Sequence, residues 1–368
     1  MKKVFILVGE ASGDLHASNL IKETKAIDAN ISWQGWGGDL MSQQGVELKK
    51  HIRDLSFMGF LEVILNIRTI LNNFKLCKLH IEAFNPDVLL LVDYPGFNLR
   101  MAKWAKERGI SVVYYISPQI WAWKASRIKA IKETVDKMYC ILPFEKEYYQ
   151  KQGLSVSYFG HPLIDAKRNY ESLKSEKIST SKSVIAILPG SREQEINRKL
   201  DIMLLSMVNY NNFQIVVACA PNLPSSFYDN YRSKYSFAEF VIGQTYDILS
   251  IADFAVVTSG TATLETAIFK VPQVVCYKSS YLSYRIAKWL VKIKFISLVN
   301  LIMDKEIVVE LIQKEVSVKN IQKELDALVF DNSNRERMLN DYNKMLELLG
   351  DEGCSKKIAQ DLIGYYSK

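Results

Sequence analysis

The first block of residues that could carry chemistry is Gly9–His16 (GEASGDLH), which directly follows a short apolar run. It holds two carboxylates, a hydroxyl and an imidazole, on Glu10, Asp14, Ser12 and His16. Glycines allow a tight turn, and a helix that starts there offers unpaired N–H groups that favour anions. Alternatively, this is an ordinary strand-to-helix turn in which Ser12 or Asp14 caps the helix. Capping requires only one of the four side chains.

The second block places a carboxylate at the end of a strongly apolar run, because Asp93 follows DVLLLV. Desolvation at such a position raises the pKa of a carboxyl towards that of a useful general base. The alternative is a turn residue bonded to its own backbone. Pro95 and Gly96 already supply a turn, which favours the catalytic interpretation of Asp93.

Two further blocks in the second half of the chain are suited to phosphate groups. The first is Leu188–Arg192 (LPGSR), in which backbone N–H groups and an arginine fork can bind a diphosphate. It lacks the spacing of a Walker loop. A capped turn would explain Ser191 but would leave Arg192 without a role.

The second such block is Ser259–Glu265 (SGTATLE), whose small residues let a ligand approach the backbone. Its candidate substrate-binding residues are Ser259, Gly260, Thr261, Ala262 and Thr263. Glu265 can accept hydrogen bonds from a ribose diol, or it is the partner in a capping box. Two anion-type turns in one half of the chain together indicate a nucleotide diphosphate.

Each block follows a short apolar run and precedes a helical pattern, so the elements that position them are strands and helices in alternation. Runs such as Val4–Val8, Asp87–Asp93 and Val184–Leu188 are continuously apolar, which is typical of parallel strands covered on both faces. The sequence therefore predicts an α/β protein with two Rossmann-like βαβ domains. The predicted boundaries are residues 1–165, a polar linker at 166–182, a second domain at 183–344, and a helical tail at about 345–368 that packs on the first domain.

Two other stretches allow a structural or a membrane interpretation. Met58–Phe74 is an apolar stripe at helical spacing, which is either core or a surface for acyl chains. Tyr281–Phe295 is a basic amphipathic segment, which is either a solvated helix or a membrane-surface element.

Composition narrows the function classes. The 368-residue chain is 48% hydrophobic and 24% charged, with a net charge of +7 that favours anionic partners. A nucleic-acid-binding module would cluster its basic residues with exposed aromatics, whereas here they are dispersed, so we expect no nucleic-acid partner. The histidines and the five scattered cysteines show no metal-ligand spacing. The scattered cysteines also indicate a reducing compartment. No apolar run is long enough to predict a membrane-spanning segment.

Taken together, these blocks resemble the lipid-A-disaccharide synthase family, bacterial glycosyltransferases that join two acylated glucosamines. The resemblance runs over at least residues 5–310 and is carried by GEASGD, MGFLEV, VDYPGFN, YYISPQIWAWK, LPFEKEYY, FGHPLID, LPGSREQE, SGTATLE, PQVVCYK and SLVNLI. It implies a GT-B fold whose two parallel sheets face a central cleft. It also implies transfer from UDP-2,3-diacylglucosamine to 2,3-diacylglucosamine 1-phosphate, giving a β-1,6-linked disaccharide with inversion, and UDP.

The resemblance further implies that no cofactor or metal is needed. It implies a peripheral location on the cytoplasmic face of the inner membrane, and a homodimer is known among members. A GT-B transferase of the peptidoglycan type, with another lipid-linked acceptor, is the alternative.

By position, the resemblance places Glu10, Ser12, Gly13 and His16 in the family's first glycine-rich loop, Asp93 at its essential aspartate, Ser191 and Arg192 in its LPGSR motif, Glu265 in its SGTA motif, and Asn300 and Gln313 near the nucleotide. Relatives commonly carry a second aspartate where this chain has Gly96. Asp93 is therefore the leading candidate for the base, alone or with Glu10 or His16.

Overall fold

The computed structural model describes residues 2–55, 67–122, 126–173, 182–280, 284–285, 288 and 293–366. The chain divides into two compact units. The first comprises Met1–Ala166 together with Gly350–Lys368, and the second comprises Lys167–Lys288 and Ile293–Leu349.

Within its described residues, the first unit has one parallel sheet of seven strands in the order β3-β2-β1-β4-β5-β6-β7. The strands are β1 (Lys3–Val8), β2 (Ser32–Gly37), β3 (Glu47–His51), β4 (Val88–Val92), β5 (Ser111–Tyr115), β6 (Lys137–Cys140) and β7 (Ser157–Tyr158). The helices are α1 (Ala11–Ile27), α2 (Asp39–Gln43), α3 (Ile67–Phe84), α4 (Pro95–Lys106), α5 (Arg127–Thr134), α6 (Pro143–Lys151) and α7 (Pro162–Leu173), of which α7 runs on into the second unit. A short 3₁₀ helix spans Ile52–Leu55.

The second unit repeats this plan with six described parallel strands in the order β10-β9-β8-β11-β12-β13. They are β8 (Val184–Leu188), β9 (Gln214–Cys219), β10 (Ala238–Ile242), β11 (Phe254–Thr258), β12 (Gln273–Tyr277) and β13 (Val309–Ile312). The helices are α8 (Glu193–Leu205), α9 (Asp229–Lys234), α10 (Thr245–Ile251), α11 (Thr261–Ile268), α12 (Leu298–Met303), α13 (Val318–Val329) and α14 (Asn332–Leu349), with 3₁₀ turns at Ser225–Tyr228 and Gln313–Glu315.

The predicted α/β class is confirmed, and the central strands show why continuous apolar runs indicate it. All five residues of β4, β8 and β11 are buried, because helices cover both faces of a parallel sheet. The outer strand β3, with the sequence ELKKH, has no buried residue.

Strand order indicates where a ligand is expected to bind in each unit. In both sheets the chain order reverses beside the first strand, where β1 adjoins β4 and β8 adjoins β11. The register pairs Val8 with Val92 and Leu188 with Val257, so the loops that follow each pair begin side by side. Ligands of open α/β sheets bind outside the carboxyl ends of the strands at this reversal. The four sequence blocks occupy these loops, two in each unit.

The chain's last helix, α15 (Cys354–Tyr366), packs against α1 of the first unit. Ile358 and Leu362 are buried in the same core as Leu20. The Asp165 carboxylate accepts the backbone N–H groups of Gly353 and Ser355, each at 2.7 Å, which holds the start of this helix. The C-terminal end of the chain is thus part of the first unit.

The two stretches with a possible membrane role lie largely outside the described residues. Of the apolar stripe, residues 58–66 are not described, whereas Phe74 stacks on Phe97 with ring centres 4.2 Å apart. Leu71 has an exposed fraction of 50%. Of Tyr281–Phe295, only residues 284–285, 288 and 293–295 are described. Among the helices that the structure describes, none has the length and apolarity to cross a bilayer.

Candidate active site

The turn after β4 holds Asp93 in an unusual backbone conformation. Asp93 and Tyr94 have φ angles of +46° and +48°, in the left-handed region that non-glycine residues rarely adopt. Pro95 then begins α4 at a position that suits its fixed φ. Backbone strain of this kind persists only where surrounding contacts enforce it, and it is concentrated at functional sites.

Buried hydrogen bonds enforce the turn. The Asn98 side-chain amide, fully buried, donates to the carbonyl oxygens of Asp93 at 2.8 Å and Val92 at 3.2 Å. The Tyr114 hydroxyl donates to the same Asp93 carbonyl at 2.6 Å. The backbone of Asp93 is therefore fixed from two neighbouring elements, which sets the direction of its carboxyl group.

The surroundings of Asp93 raise the pKa of its carboxyl to about 7. Burial is the largest cause, and the negative charges of Glu10 and Glu145 add to it, while the Tyr94 N–H acts in the opposite direction. Glu10 follows β1, so the structure brings these two predicted residues together at the reversal of the sheet. A carboxyl with this pKa is suited to accept a proton near neutral pH.

The remaining residues of the first loop close the turn between β1 and α1. Ser12 is half-buried in the first turn of α1. Gly13 is buried, and a Cβ added there would lie 2.9 Å from a Val8 methyl group, so only glycine allows this close packing. At Gly9, a Cβ would lie 2.4 Å from the Tyr94 ring. The two loops of this unit are thus packed directly on each other.

Asp14 does not cap its own helix but joins α1 to α2. Its carboxylate accepts the N–H groups of Gly38 at 2.8 Å, Leu40 at 3.0 Å and Met41 at 3.2 Å. Burial raises its pKa, although these hydrogen bonds oppose the change. The role of Asp14 in this structure is to anchor the loop.

His16 lies on the buried face of α1, with an exposed fraction of 3%. Burial lowers the pKa of its imidazole to about 4, opposed by the charge of Asp165. His161 is a neighbour whose own pKa burial lowers to about 3. His16 is thus a neutral, buried imidazole beside the contact between α1 and α15. Its surroundings differ from those of Glu10 and Asp93.

The structure adds residues that the sequence analysis did not single out. Glu145 is buried and accepts the Trp121 indole N–H at 3.0 Å and the Leu142 N–H at 3.0 Å. Burial raises its pKa to about 7. A cavity of about 140 Å³ is lined by Asp93, Pro95, Gln119, Ile120 and Arg127. Gln119, Ile120 and Trp121 belong to the YYISPQIWAWK motif and Glu145 to LPFEKEYY, but nothing in the spacing distinguished individual members. Arg127 lies outside every motif that carries the resemblance.

In the second unit, LPGSR forms the turn from β8 into α8. Gly190 has a φ of +115°, which favours glycine, and Arg192 is the residue that precedes the first turn of α8. Ser191 and Arg192 are both exposed. The Arg192 guanidinium forms an ion pair with Glu195 at 3.1 Å. N–H groups at a helix start with an arginine beside them are suited to bind an anion, so this turn stays a candidate phosphate site.

SGTATLE forms the adjacent turn from β11 into α11. Gly260 is exposed with a φ of +142°, and a Cβ there would meet open space within 4 Å. Ser259 donates its hydroxyl to the Ile296 carbonyl at 2.9 Å, and Thr263, which is buried, donates to Gly260 at 2.8 Å. Thr261 and Ala262 are half-buried in the first turn of α11. These hydroxyls fix the loop and leave its backbone open to a ligand.

Glu265 accepts the Tyr246 hydroxyl at 3.1 Å, and burial raises the pKa of its carboxyl. It lies on α11, one turn after Thr261. A capping-box partner would reach back to the start of its own helix, whereas Glu265 contacts a different helix, α10.

Asn300 and Gln313 have structural partners. The buried Asn300 amide donates to Glu310 at 2.9 Å and accepts the Ile307 N–H at 2.7 Å. Glu310 accepts the Ile296 N–H at 2.9 Å, and Ile296 in turn holds Ser259. Asn300 therefore supports the Ser259 loop through a chain of hydrogen bonds.

Gln313 has a φ of +55° and donates to the Ser279 hydroxyl at 2.9 Å. It is half-buried directly after β13. Across the described part of the chain, no group of three or more His, Cys, Asp or Glu side chains is placed to hold a metal ion.

Comparison with solved structures identifies the fold. The UDP-GlcNAc 2-epimerase of Neisseria meningitidis, described as bound to UDP-GlcNAc, matches with a TM-score of 0.67 at 16% identity, covering 99% of this chain and 100% of the other. The calicheamicin glycosyltransferase matches with a TM-score of 0.63 at 12% identity, covering 100% and 99%. With two parallel α/β units, the protein has the GT-B fold of glycosyltransferases and sugar-nucleotide epimerases.

Sequence comparison identifies the family. The family model described as lipid-A-disaccharide synthetase matches residues 4–362. Lipid-A-disaccharide synthase 1 of Legionella pneumophila (strain Paris) is 37% identical over 360 residues, covering 94% of this chain and 93% of the relative. The chain belongs to the lipid-A-disaccharide synthetase family. It is therefore a glycosyltransferase of lipid A biosynthesis, and the predicted family is confirmed.

Proposed function

We propose that the protein transfers 2,3-diacylglucosamine from its UDP derivative to the 6-hydroxyl of 2,3-diacylglucosamine 1-phosphate, with inversion at the donor carbon. The observation that carries this proposal is the pair of reactive loops at the reversal of each sheet. The first unit has a carboxyl with a pKa of about 7, and the second has two adjacent helix starts that are suited to bind an anion. A single in-line displacement requires a base for the proton of the acceptor hydroxyl and groups that neutralise the departing diphosphate.

Asp93 takes the proton from the acceptor hydroxyl as this oxygen forms its bond to the donor carbon. The bond from that carbon to the UDP oxygen breaks, and the diphosphate leaves with the electron pair. Glu10 acts through its charge on Asp93. Backbone N–H groups at the starts of α8 and α11, with Arg192, neutralise the departing diphosphate. Glu265 accepts hydrogen bonds from the ribose, and Asn300 and Gln313 support the loops around the nucleotide.

Fold similarity supports a uridine-nucleotide donor, because the matched epimerase is described as bound to UDP-GlcNAc. We infer a peripheral location at the cytoplasmic face of the inner membrane, since both proposed substrates carry acyl chains and the chain has a net charge of +7. A homodimer remains a prediction of the family resemblance, and measurement of the molecular mass in solution would test it.

Product analysis tests the proposal. The purified protein is incubated with UDP-2,3-diacylglucosamine and 2,3-diacylglucosamine 1-phosphate, and the products are identified by mass spectrometry and by NMR of the new linkage. We expect a β-1,6-linked disaccharide 1-phosphate and UDP. Parallel reactions with UDP-N-acetylglucosamine and a peptidoglycan lipid acceptor test the alternative. A product in those reactions alone would refute the proposed substrates.

A further inference from the structure

The cavity beside Asp93 carries a second functional group, the guanidinium of Arg127. Both residues line the same space of about 140 Å³, together with Pro95, Gln119 and Ile120. Asp93 follows β4, whereas Arg127 is the first residue of α5, so two separate elements bring a carboxyl and a cation to one cavity. The proposed transfer step uses only the carboxyl.

The electrostatic surroundings of Arg127 are those of a site for an anion. The residue is half-buried, and burial lowers its pKa, while Tyr114 raises it and the positive charge of Arg100 lowers it further. Arg100 lies above the Phe74 ring, 5.4 Å from its centre. Two guanidinium groups close enough to repel each other are stabilised when an anion binds between or beside them.

Tyr114 lies close to both charged groups of the cavity. Its hydroxyl is hydrogen-bonded to the Asp93 carbonyl at 2.6 Å. Burial raises its pKa well above the usual value, the charge of Asp93 adds to this, and Arg127 acts in the opposite direction. The buried Tyr114 is thus close to both groups, so Arg127 lies near the turn that carries Asp93.

The proposed acceptor sugar carries two groups that match the two charged side chains of the cavity. In a hexosamine 1-phosphate, the reacting 6-hydroxyl and the phosphate monoester are at opposite ends of the sugar. A phosphate beside Arg127 would also meet the N–H groups at the start of α5. We propose that Arg127 binds the phosphate monoester of the acceptor sugar in the cavity where Asp93 receives the reacting hydroxyl. This inference rests on the proposed function, whose donor diphosphate is assigned to the second unit.

The experiment compares two acceptors, 2,3-diacylglucosamine 1-phosphate and unphosphorylated 2,3-diacylglucosamine, in steady-state assays with UDP-2,3-diacylglucosamine. We expect the unaltered protein to prefer the phosphorylated acceptor in kcat/KM by roughly 10- to 100-fold, the usual size of a charge-assisted contact with arginine. Arg127→Gln should abolish most of this preference by raising the KM for the phosphorylated acceptor, with an unchanged Kd for UDP. The matched control is Lys129→Gln on the same helix, whose side chain is 84% exposed and should keep the preference.

The outcomes separate the inference from the proposed function. If the unaltered protein forms no disaccharide with either acceptor, the proposed function fails. If it forms disaccharide and Arg127→Gln keeps the full preference, the phosphate site at Arg127 is wrong, and a raised Kd for UDP in that variant would assign the arginine to the donor instead. Should Arg127→Gln not fold, Arg127→Lys decides, because lysine keeps the charge but loses the planar fork. Its preference should fall several-fold, and an unchanged preference would overturn the inference.

Discussion

Asp93 is a carboxyl whose surroundings disfavour its charge. Burial, Glu10 and Glu145 all raise its pKa, to about 7. The same features that make ionisation costly make the carboxylate a stronger base, because it gains more by accepting a proton. A carboxyl at the ordinary value would be ionised throughout the physiological range but would be a weak base.

The pH dependence of kcat/KM should reveal this carboxyl. Below a pH of about 7 Asp93 is protonated and cannot accept the proton of the acceptor, so the rate should fall about tenfold per pH unit on the acid side. Glu10→Gln removes a negative charge that raises the Asp93 pKa, so the acid limb should move to lower pH. Initial rates from pH 5 to 9 measure this shift, with Glu147→Gln, an exposed carboxylate on α6, as control. An acid limb that stays in place would contradict the proposed coupling.

At this scale the sequence predicts some residues and not others. The position of Asp93 at the end of a buried strand was predictable, because it directly follows a continuous apolar run. Its catalytic role stays a prediction. Glu145 was not, because LPFEKEYY contains Glu145 and Glu147 with no pattern that separates them. The fold alone buries the first and leaves the second 71% exposed.

At the scale of elements, the important unit is the pair of adjacent loops at each sheet reversal. The turn after β4 is strained at two successive residues, and Asn98 on α4 holds it through the carbonyl oxygens of Val92 and Asp93. Asn98 lies near the start of α4, and these two hydrogen bonds link it to the turn that carries Asp93. We therefore expect Asn98 to position Asp93.

Asn98→Ala should reduce both stability and turnover. Two buried carbonyl oxygens lose a donor, which costs about 1–3 kcal/mol of unfolding free energy. Without these hydrogen bonds the strained turn can relax, so the kcat of the folded variant should also fall. Thermal unfolding and initial rates measure the two effects, with Asn30→Ala, at an exposed turn of the same unit, as control. Full kcat in a folded Asn98→Ala variant would show that the strained turn does not position Asp93.

Predictability also varies among the strands. Runs such as VLLLV in β4 and VIAIL in β8 indicate buried parallel strands, and both are present at the predicted positions. The criterion of continuous apolarity misses β3, because an outer strand with the sequence ELKKH is half exposed and polar. It also misses β7, which is only two residues long. Strand order is set by tertiary packing, which no local pattern encodes.

At the scale of the whole molecule, two units of the same plan carry different chemistry. The first presents carboxylates after its central strands, and the second presents glycine, hydroxyl and arginine residues at the equivalent places. The sequence indicated this contrast, because the alternation of strand, turn and helix begins again after residue 182. The family resemblance supplied what the pattern could not, the substrates that we propose.

Arg192→Ala should weaken nucleotide binding without changing the pKa of Asp93. Losing a charge-assisted contact to a phosphate should raise the Kd for UDP by roughly tenfold or more, whereas the acid limb of the rate profile should stay in place. Titration calorimetry with UDP measures the affinity. Arg337→Ala removes the same charge from an exposed position on α14 and serves as control. Undiminished UDP affinity in Arg192→Ala would refute its assignment to the diphosphate.

The central claim is that Asp93 is the base of a transfer whose nucleotide is bound by the other unit. The most direct measurement is the rate of disaccharide formation by Asp93→Asn with both substrates saturating, combined with its Kd for UDP. The variant should be slower by roughly 10²–10⁴-fold, the usual contribution of a general base, with an almost unchanged Kd. A turnover rate equal to that of the unaltered protein would contradict the claim.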